Sequence, residues 1–222
     1  MVNASPKIAL IAGASGLVGS HLLSLLLDSE DFSKVYAIVR KPLGVGHPKL
    51  EERIIDFDQI EQMTFPTPID IVFCTLGTTR GKAKSAENFK KVDLHYIVAL
   101  GKWSAEHHAK KFLVISAMGA NSNSKSLYMQ TKGEMETQVQ SFNISHIAIF
   151  RPSLLVGPRK ERRIGEWIAG HVTLPIFGLF LPKKYRRVQT WKVAKAMFKI
   201  AQSEHSGIEI IQSDKIHELV QS

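Results

Sequence analysis

An apolar run, Lys7–Gly13, that breaks into glycines spaced three apart constrains the fold of this chain more than any other feature. Gly13-Ala14-Ser15-Gly16-Leu17-Val18-Gly19 follows a short buried strand and opens an apolar helix, Leu17–Leu27. Val35–Arg40, rich in β-branched residues, then reads as a second strand. Such a turn lets the backbone reverse tightly and approach an anion without Cβ atoms in the way, while the helix N-terminus aims unpaired N–H groups at it. Gly19 lets the helix close onto the strand. An ordinary glycine turn is the plainer alternative, but a strand before and a helix after is the context of a phosphate-binding motif. The order strand, glycine turn, helix, strand is the mononucleotide-binding half of a doubly wound α/β fold.

The rest of the chain keeps that rhythm. Arg53–Asp56 and Asp70–Leu76 read as strands. A long helix is expected from about Ala86 to His108, with apolar positions at Phe89, Val92, Tyr96, Ile97 and Leu100. Strand Phe112–Ser116, polar loop Asn121–Ser126, helix Leu127–Phe142 and strand His146–Arg151 follow, the last stopped by Pro152. Strands that are apolar throughout are buried on both faces, as in a parallel sheet with helices on either side. Beyond Pro152 the pattern is irregular until a helical stretch at Val188–Gln202. At 222 residues one core suffices. The expectation is a single domain over 1–222, a doubly wound parallel sheet, with 152–222 contributing most of a small substrate-side region.

The second strand ends at Arg40-Lys41, and no carboxylate lies in Val35–Lys41. Sites selective for NAD place an acid there to bind ribose hydroxyls, whereas a cation accommodates a 2′-phosphate. The sequence therefore predicts NADP(H) over NAD(H), with Arg40 and Lys41 at the phosphate and Ser15 assisting. A solvated pair of cations at a strand end is the alternative. Gly13, Ser15, Gly16, Leu17, Val18 and Gly19 are the expected pyrophosphate contacts.

Tyr128 and Lys132 stand one helical turn apart, so their side chains share a face. Ser116 precedes them at the end of a predicted strand. A phenol is a poor acid–base group at neutral pH, and a neighbouring ammonium favours its phenolate. The lysine also reaches a nicotinamide ribose, and the serine polarises a substrate carbonyl. Alone, a Tyr above a Lys is common on wet helix faces; downstream of a phosphate-binding turn it stands in the order this chemistry needs.

These residues resemble the short-chain dehydrogenase/reductase superfamily, in its extended and atypical branch. More narrowly, Cys74–Ala83 (CTLGTTRGKA) is similar to the Tat-interacting oxidoreductase family. So are Leu127–Glu134 (LYMQTKGE), Phe150-Arg151-Pro152 with Arg159, Arg163–Trp167 (RIGEW) and Ile210–Leu219 (IIQSDKIHEL). The resemblance spans nearly the whole chain and implies a Rossmann fold. It implies that Leu76, Gly77 and Thr78 line the cofactor, that Asp56 lies near the adenine, and that Arg151, Pro152, Ser153 and Leu154 lie near the nicotinamide. One departure is Ala117, where the family often carries a second serine, so the polarising hydroxyl rests on Ser116.

The expected activity is hydride transfer to or from a carbonyl or alcohol, with a small-molecule substrate. A second reading is an NADPH-sensing regulator that binds a protein partner without turnover. Sugar-nucleotide epimerisation or dehydration is disfavoured by the short region after Pro152. The net charge of +9 selects no partner by itself. No zinc spacing, helix-turn-helix or aromatic RNA-binding motif accompanies it, so nucleic acid is not expected, nor is a metal. Thr79-Arg80-Gly81-Lys82 offers two cations to an anionic substrate, to cofactor phosphates or to solvent. Basic segments Arg159–Arg163 and Lys183–Arg187 frame the apolar stretch 164–181. That arrangement fits a substrate lid, a docking site for a protein partner or a membrane surface, or a packed subdomain with a solvated rim. The lone Cys74, the lack of an apolar leader and the lack of a spanning run suggest a cytoplasmic protein.

Overall fold

The computed structural model of the chain describes residues 5–157, 182 and 185–221. Seven of its strands form one parallel sheet: β1 (Lys7–Ala12), β2 (Phe32–Val39), β3 (Leu50–Ile54), β4 (Ile71–Cys74), β5 (Lys111–Ile115), β6 (His146–Arg151) and β9 (Gly207–Gln212). Their spatial order is β3-β2-β1-β4-β5-β6-β9. The chain winds outward from β1 to β3, then crosses back and lays β4 on the other flank of β1, where Ala12 pairs with Cys74. That reversal creates a crevice at the carboxyl ends of β1 and β4, the place where doubly wound sheets bind ligands. A separate parallel pair, β7 (Leu155–Val156) and β8 (Val188–Gln189), follows the end of β6.

Strand side chains alternate between two cores, as the period-two geometry demands. Ala9, Ile11, Phe73, Leu113, Ile115, Ala148 and Phe150 face one side. There α1 (Leu17–Asp28), α6 (Thr190–Gln202) and α7 (Ser213–Gln221) cover them, with α1 packed along α6. Leu10, Ala12, Val72, Cys74, Phe112, Val114, Ile147 and Ile149 face the other. A 3₁₀ turn (Phe57–Gln62), α4 (Tyr96–Glu106) and α5 (Leu127–Val139) cover that face. Each fully buried Leu, Ile or Phe contributes about 1.5–3 kcal/mol.

Three elements differ from the sequence expectation. The single helix expected over 86–108 is split into α3 (Ala86–Lys90) and α4 by a π turn, Lys91–His95; a short α2 (Arg80–Ala83) precedes them. Ser85 starts α3, its hydroxyl accepting the Asn88 N–H at 3.0 Å. A π turn carries an extra residue and re-aims the side chains within it, and Asp93, in this one, is 1% exposed. The second difference is β9, which joins the central sheet beside β6 although Ile208 and Ile210 remain exposed. The third is β3, expected over Arg53–Asp56 and found at Leu50–Ile54. The described part of the region after Pro152 supplies α6, where a helical stretch was expected, and β9 and α7 at the sheet's edge and cover, in addition to the β7–β8 pair.

Candidate functional site

The glycine turn sits at the carboxyl end of β1, beside the crevice. Gly13 has φ of +88°, and a Cβ there would lie 2.7 Å from Thr75 Oγ1. A Cβ on Gly19 would lie 2.1 Å from the Gly13 carbonyl oxygen, an impossible contact. Bare backbone is therefore required at both positions. The Gly16 N–H donates to the Gly13 carbonyl at 2.9 Å and closes the turn. The hydroxyl and the N–H of Thr75 both donate to Ala12 O at 2.9 Å, pinning the end of β4 to the end of β1. No side chain caps α1, whose N-cap is Gly16, so its first-turn N–H groups are left for an external acceptor. This tight glycine turn, with the uncapped N-terminus of α1 beside it, fits a pyrophosphate.

The other expected residues line the same carboxyl edge. Ser15 and Gly16 are exposed, whereas Val18 is buried in the core, so its contribution to an anion is confined to backbone. Arg40 and Lys41 follow β2 and are exposed. Leu76, Gly77 and Thr78 follow β4, and Pro152, Ser153 and Leu154 follow β6. Asp56 has a structural task as well: its carboxylate accepts the Asp58 N–H at 3.0 Å and caps the 3₁₀ turn. Ser153 donates to the Arg186 carbonyl and accepts from Ser213 Oγ at 3.1 Å. Arg151 ends β6 as expected, yet its guanidinium is gripped by Glu136 of α5. Nε donates to Oε1 at 2.9 Å, and Nη2 also bonds the carboxylate. The Glu136 hydrogen bond raises the Arg151 pKa, so the arginine stays charged and committed.

Tyr128 and Lys132 occupy successive turns of α5, as their spacing predicts. What surrounds them does not follow from the spacing. Lys132 Nζ lies 2.8 Å from Asp93 Oδ1, with side-chain exposures of 4% and 2% for the pair. It also lies 3.5 Å from the Ile115 carbonyl. The other Asp93 oxygen accepts the Thr78 N–H at 2.7 Å, so this carboxylate ties the π turn, α5 and the loop after β4 together. Burial alone would push the Lys132 ammonium down, but the Asp93 carboxylate, helped by the Tyr128 phenol, carries it above the usual lysine value. Tyr128 packs its ring 5.8 Å from that of Phe89. Burial pushes the phenol above its ordinary value; Lys132 pulls it down and Asp93 pushes it back up. The expected net lowering by the lysine is thus reversed, because the ammonium is compensated and the phenol desolvated.

Ser116, 3% exposed, stands one residue past β5, its N–H donating to Phe150 O at 2.7 Å. Among the described residues its Oγ finds no hydrogen-bond partner. A buried hydroxyl without a partner is costly unless a ligand supplies one, which fits a carbonyl or hydroxyl group in the crevice. Cys74, beneath the site, is a core residue whose thiol burial pushes up to about 12.

Sequence reasoning missed Asp93 and Glu136. Both look like ordinary polar positions on helices, and only the cations opposite them, Lys132 and Arg151, reveal their roles. A surface cavity of about 780 Å³ lined by Asp58, Glu61, Lys91, His95 and Tyr96 contains none of the expected site residues. Among the described residues no group of His, Cys, Asp or Glu is disposed to hold a metal, and no helix is long and apolar enough to cross a membrane. Arg159–Arg163, the 164–181 stretch and Lys183-Lys184 lie outside the described residues, and with them the lid or docking expectation.

The model of the NAD dependent epimerase/dehydratase family matches residues 9–174. Among curated relatives, Protein HTATIP2 of Rattus norvegicus is 35% identical over 170 residues, covering 73% of this chain and 69% of that protein. Protein FMP52, mitochondrial, of Candida albicans is 30% identical over 203 residues, covering 89% of each. Among solved structures, MoeE5 in complex with UDP-glucose and NAD superposes with a TM-score of 0.69 at 18% identity, covering 97% of this chain and 80% of that one. The Bordetella bronchiseptica enzyme WbmH in complex with NAD+ superposes with a TM-score of 0.68 at 19% identity, covering 93% and 76%. These structures establish the Rossmann-type fold. The names of the fungal relatives overturn the cytoplasmic expectation, since several are called mitochondrial. That expectation rested on one cysteine and no apolar leader, which do not separate one reducing compartment from another. Mitochondrial targeting uses amphipathic basic segments rather than a long apolar one.

Proposed function

Because the chain belongs to the NAD dependent epimerase/dehydratase family, and within it to the group of HTATIP2 and FMP52, we propose that it is an NADP(H)-dependent oxidoreductase acting on a carbonyl or alcohol. The observation that carries this reading is the convergence of three groups at the carboxyl edge of the sheet. They are the bare glycine cradle, the partnerless Ser116 hydroxyl, and Tyr128 beside a buried, charged Lys132.

The Gly13–Gly19 turn and the N-terminus of α1 would hold a pyrophosphate. Arg40 and Lys41 would meet a 2′-phosphate, with no acid nearby to favour ribose hydroxyls. Asp56 would stand near the adenine, with Leu76, Gly77, Thr78, Pro152, Ser153 and Leu154 toward the nicotinamide. Arg151 would act through Glu136 by fixing the end of β6 against α5. A bound nicotinamide dinucleotide supplies the hydride donor or acceptor. Ser116 donates a hydrogen bond to the substrate oxygen, and Tyr128 gives or takes the proton at that oxygen. Lys132 keeps a positive charge beside the phenol. The fungal relatives support a mitochondrial place of action.

Tyr128→Phe tests this reading. The variant is expected to bind NADPH with near wild-type affinity and to lose at least about a hundredfold in turnover across a panel of aldehydes and ketones, as removal of a general acid does. Undiminished turnover would remove Tyr128 from the mechanism. Wild-type protein that binds NADPH and a protein partner but never oxidises the cofactor would replace the enzyme with a regulator.

A further inference from the structure

Most of the ionisable clusters outside the crevice are solvated ion pairs, such as Lys91 with Asp58 and Lys102 with Glu61. Asp93 is different. It is 1% exposed, it is delivered inward by a π turn, and both of its oxygens are engaged, one by Lys132 and one by the Thr78 N–H. Besides holding the loop after β4 through the Thr78 N–H, Asp93 meets Lys132 and, through Lys132, bears on Tyr128.

We propose that Asp93 is a positioning residue that neutralises Lys132 from behind, so that Tyr128 works as a proton donor and the site is set for reduction of a carbonyl rather than oxidation of an alcohol. This rests on the assignment of Tyr128 and Lys132 as the reacting pair. In the reducing direction the carbonyl carbon takes a hydride, with its two electrons, from the reduced nicotinamide. The carbonyl oxygen takes the Tyr128 proton, and solvent later reprotonates the phenolate. A lone ammonium beside the phenol would favour the phenolate, which is the base needed for alcohol oxidation. The carboxylate of Asp93 opposes that preference at short range in a dry environment, where it is least screened.

Among the described residues, the charges that act on Tyr128 include Lys132 on its own helix and Asp93 on the π turn; the Cys74 thiol on β4 acts on Lys132 and is neutral, because burial pushes it up to about 12. Phe89 covers the ring and adds no charge. The phenol stands above its ordinary value first through burial, with Lys132 pulling it down and Asp93 pushing it up, which agrees with the geometry.

The test is a spectrophotometric titration of tyrosinate in the ligand-free protein, which needs no turnover. The chain has four tyrosines, so subtracting the curve of Tyr128→Phe isolates Tyr128. Asp93→Asn keeps an acceptor for Thr78 and removes only the charge; it is expected to lower the Tyr128 midpoint by about one pH unit or more. The double variant Asp93→Asn/Lys132→Met leaves no unpaired buried charge at this site, so it stands even where the single variant fails to fold. It is expected to titrate within about half a pH unit of wild type, because a neutral pair has been exchanged for a neutral pair. An unchanged midpoint in Asp93→Asn overturns the proposal, and so does a double variant titrating well above wild type, which would mean that Lys132 acts uncompensated. Should the midpoints move as expected while wild-type protein reduces no carbonyl, the charge relation is upheld and the oxidoreductase reading alone fails.

Discussion

Helices α1 and α5 cover opposite faces of the same sheet, and they are held there by different physics. Helix α1 buries Val18, Leu22, Leu23, Leu26 and Leu27, an apolar stripe that would seat it on the sheet at any ionic condition. Helix α5 buries Thr131, Lys132, Gly133, Met135, Glu136 and Val139. Its two buried charges are matched by Asp93 and Arg151. The first helix needs only to present its N-terminus to an anion. The second must keep an ammonium beside a phenol in a nearly dry setting, and a buried charge is tolerable only with a partner. In the proposed mechanism α5 thus works through groups that a purely structural helix would not bury.

That contrast exposes α5 to charge loss and α1 to volume loss. The largest effect is expected for Asp93→Ala, which leaves the Lys132 ammonium buried without a partner and should cost about 3–5 kcal/mol in urea unfolding. A cost below about 1 kcal/mol would place α5 on the same footing as a surface helix. Leu22→Ala, in the fully buried stripe of α1, should cost about 2–5 kcal/mol with the same loss at every pH.

A smaller effect separates the two helices by pH. The folded-state value of Lys132 is raised above 10.5, so its contribution is complete below that pH and is lost as pH rises through the folded value. Tyr128, raised above 10.0 by burial, loses stability in the same direction. Unfolding free energy should therefore fall above about pH 10 more steeply in wild type than in Asp93→Asn/Lys132→Met. Parallel curves would mean that the clamp carries no pH-dependent stability. The smallest effect on stability is expected at Ser116. Its hydroxyl has no partner among the described residues, so Ser116→Ala should change stability by no more than about 0.5 kcal/mol. Turnover should nevertheless drop about a hundredfold, as when a donor to a developing oxyanion is removed. A large stability loss with unchanged turnover would turn Ser116 into a structural residue.

The same contrast explains what could be read from the chain alone. The apolar strands, the glycine turn and helix α1 are local patterns, and β1, β2, β4, β5 and β6 stand within a few residues of where periodicity predicts them. The placement of Tyr128 and Lys132 on successive turns of one helix was legible for the same reason. Asp93 was not, because its partner comes from a distant helix and its inward aim depends on a π turn that leaves no mark in the hydrophobic pattern. The Glu136–Arg151 pair is hidden likewise: Arg151 reads as a free cation at a strand end until Glu136 is seen to hold it. β9 escaped notice because Glu209 interrupts its apolar run and Ile208 and Ile210 stay exposed at the sheet's edge.

The roles proposed for α1 and α5 require a dinucleotide at the carboxyl edge of the sheet, and its binding can be measured without knowing the substrate. NADPH and NADH should be titrated by fluorescence into wild-type protein and into Gly19→Ala, whose new Cβ would meet the Gly13 carbonyl. Saturable binding of NADPH is expected, tighter than that of NADH and weakened at least about tenfold by the methyl group, the equivalent of about 1.4 kcal/mol. Wild-type protein that takes up neither reduced nucleotide would contradict the account.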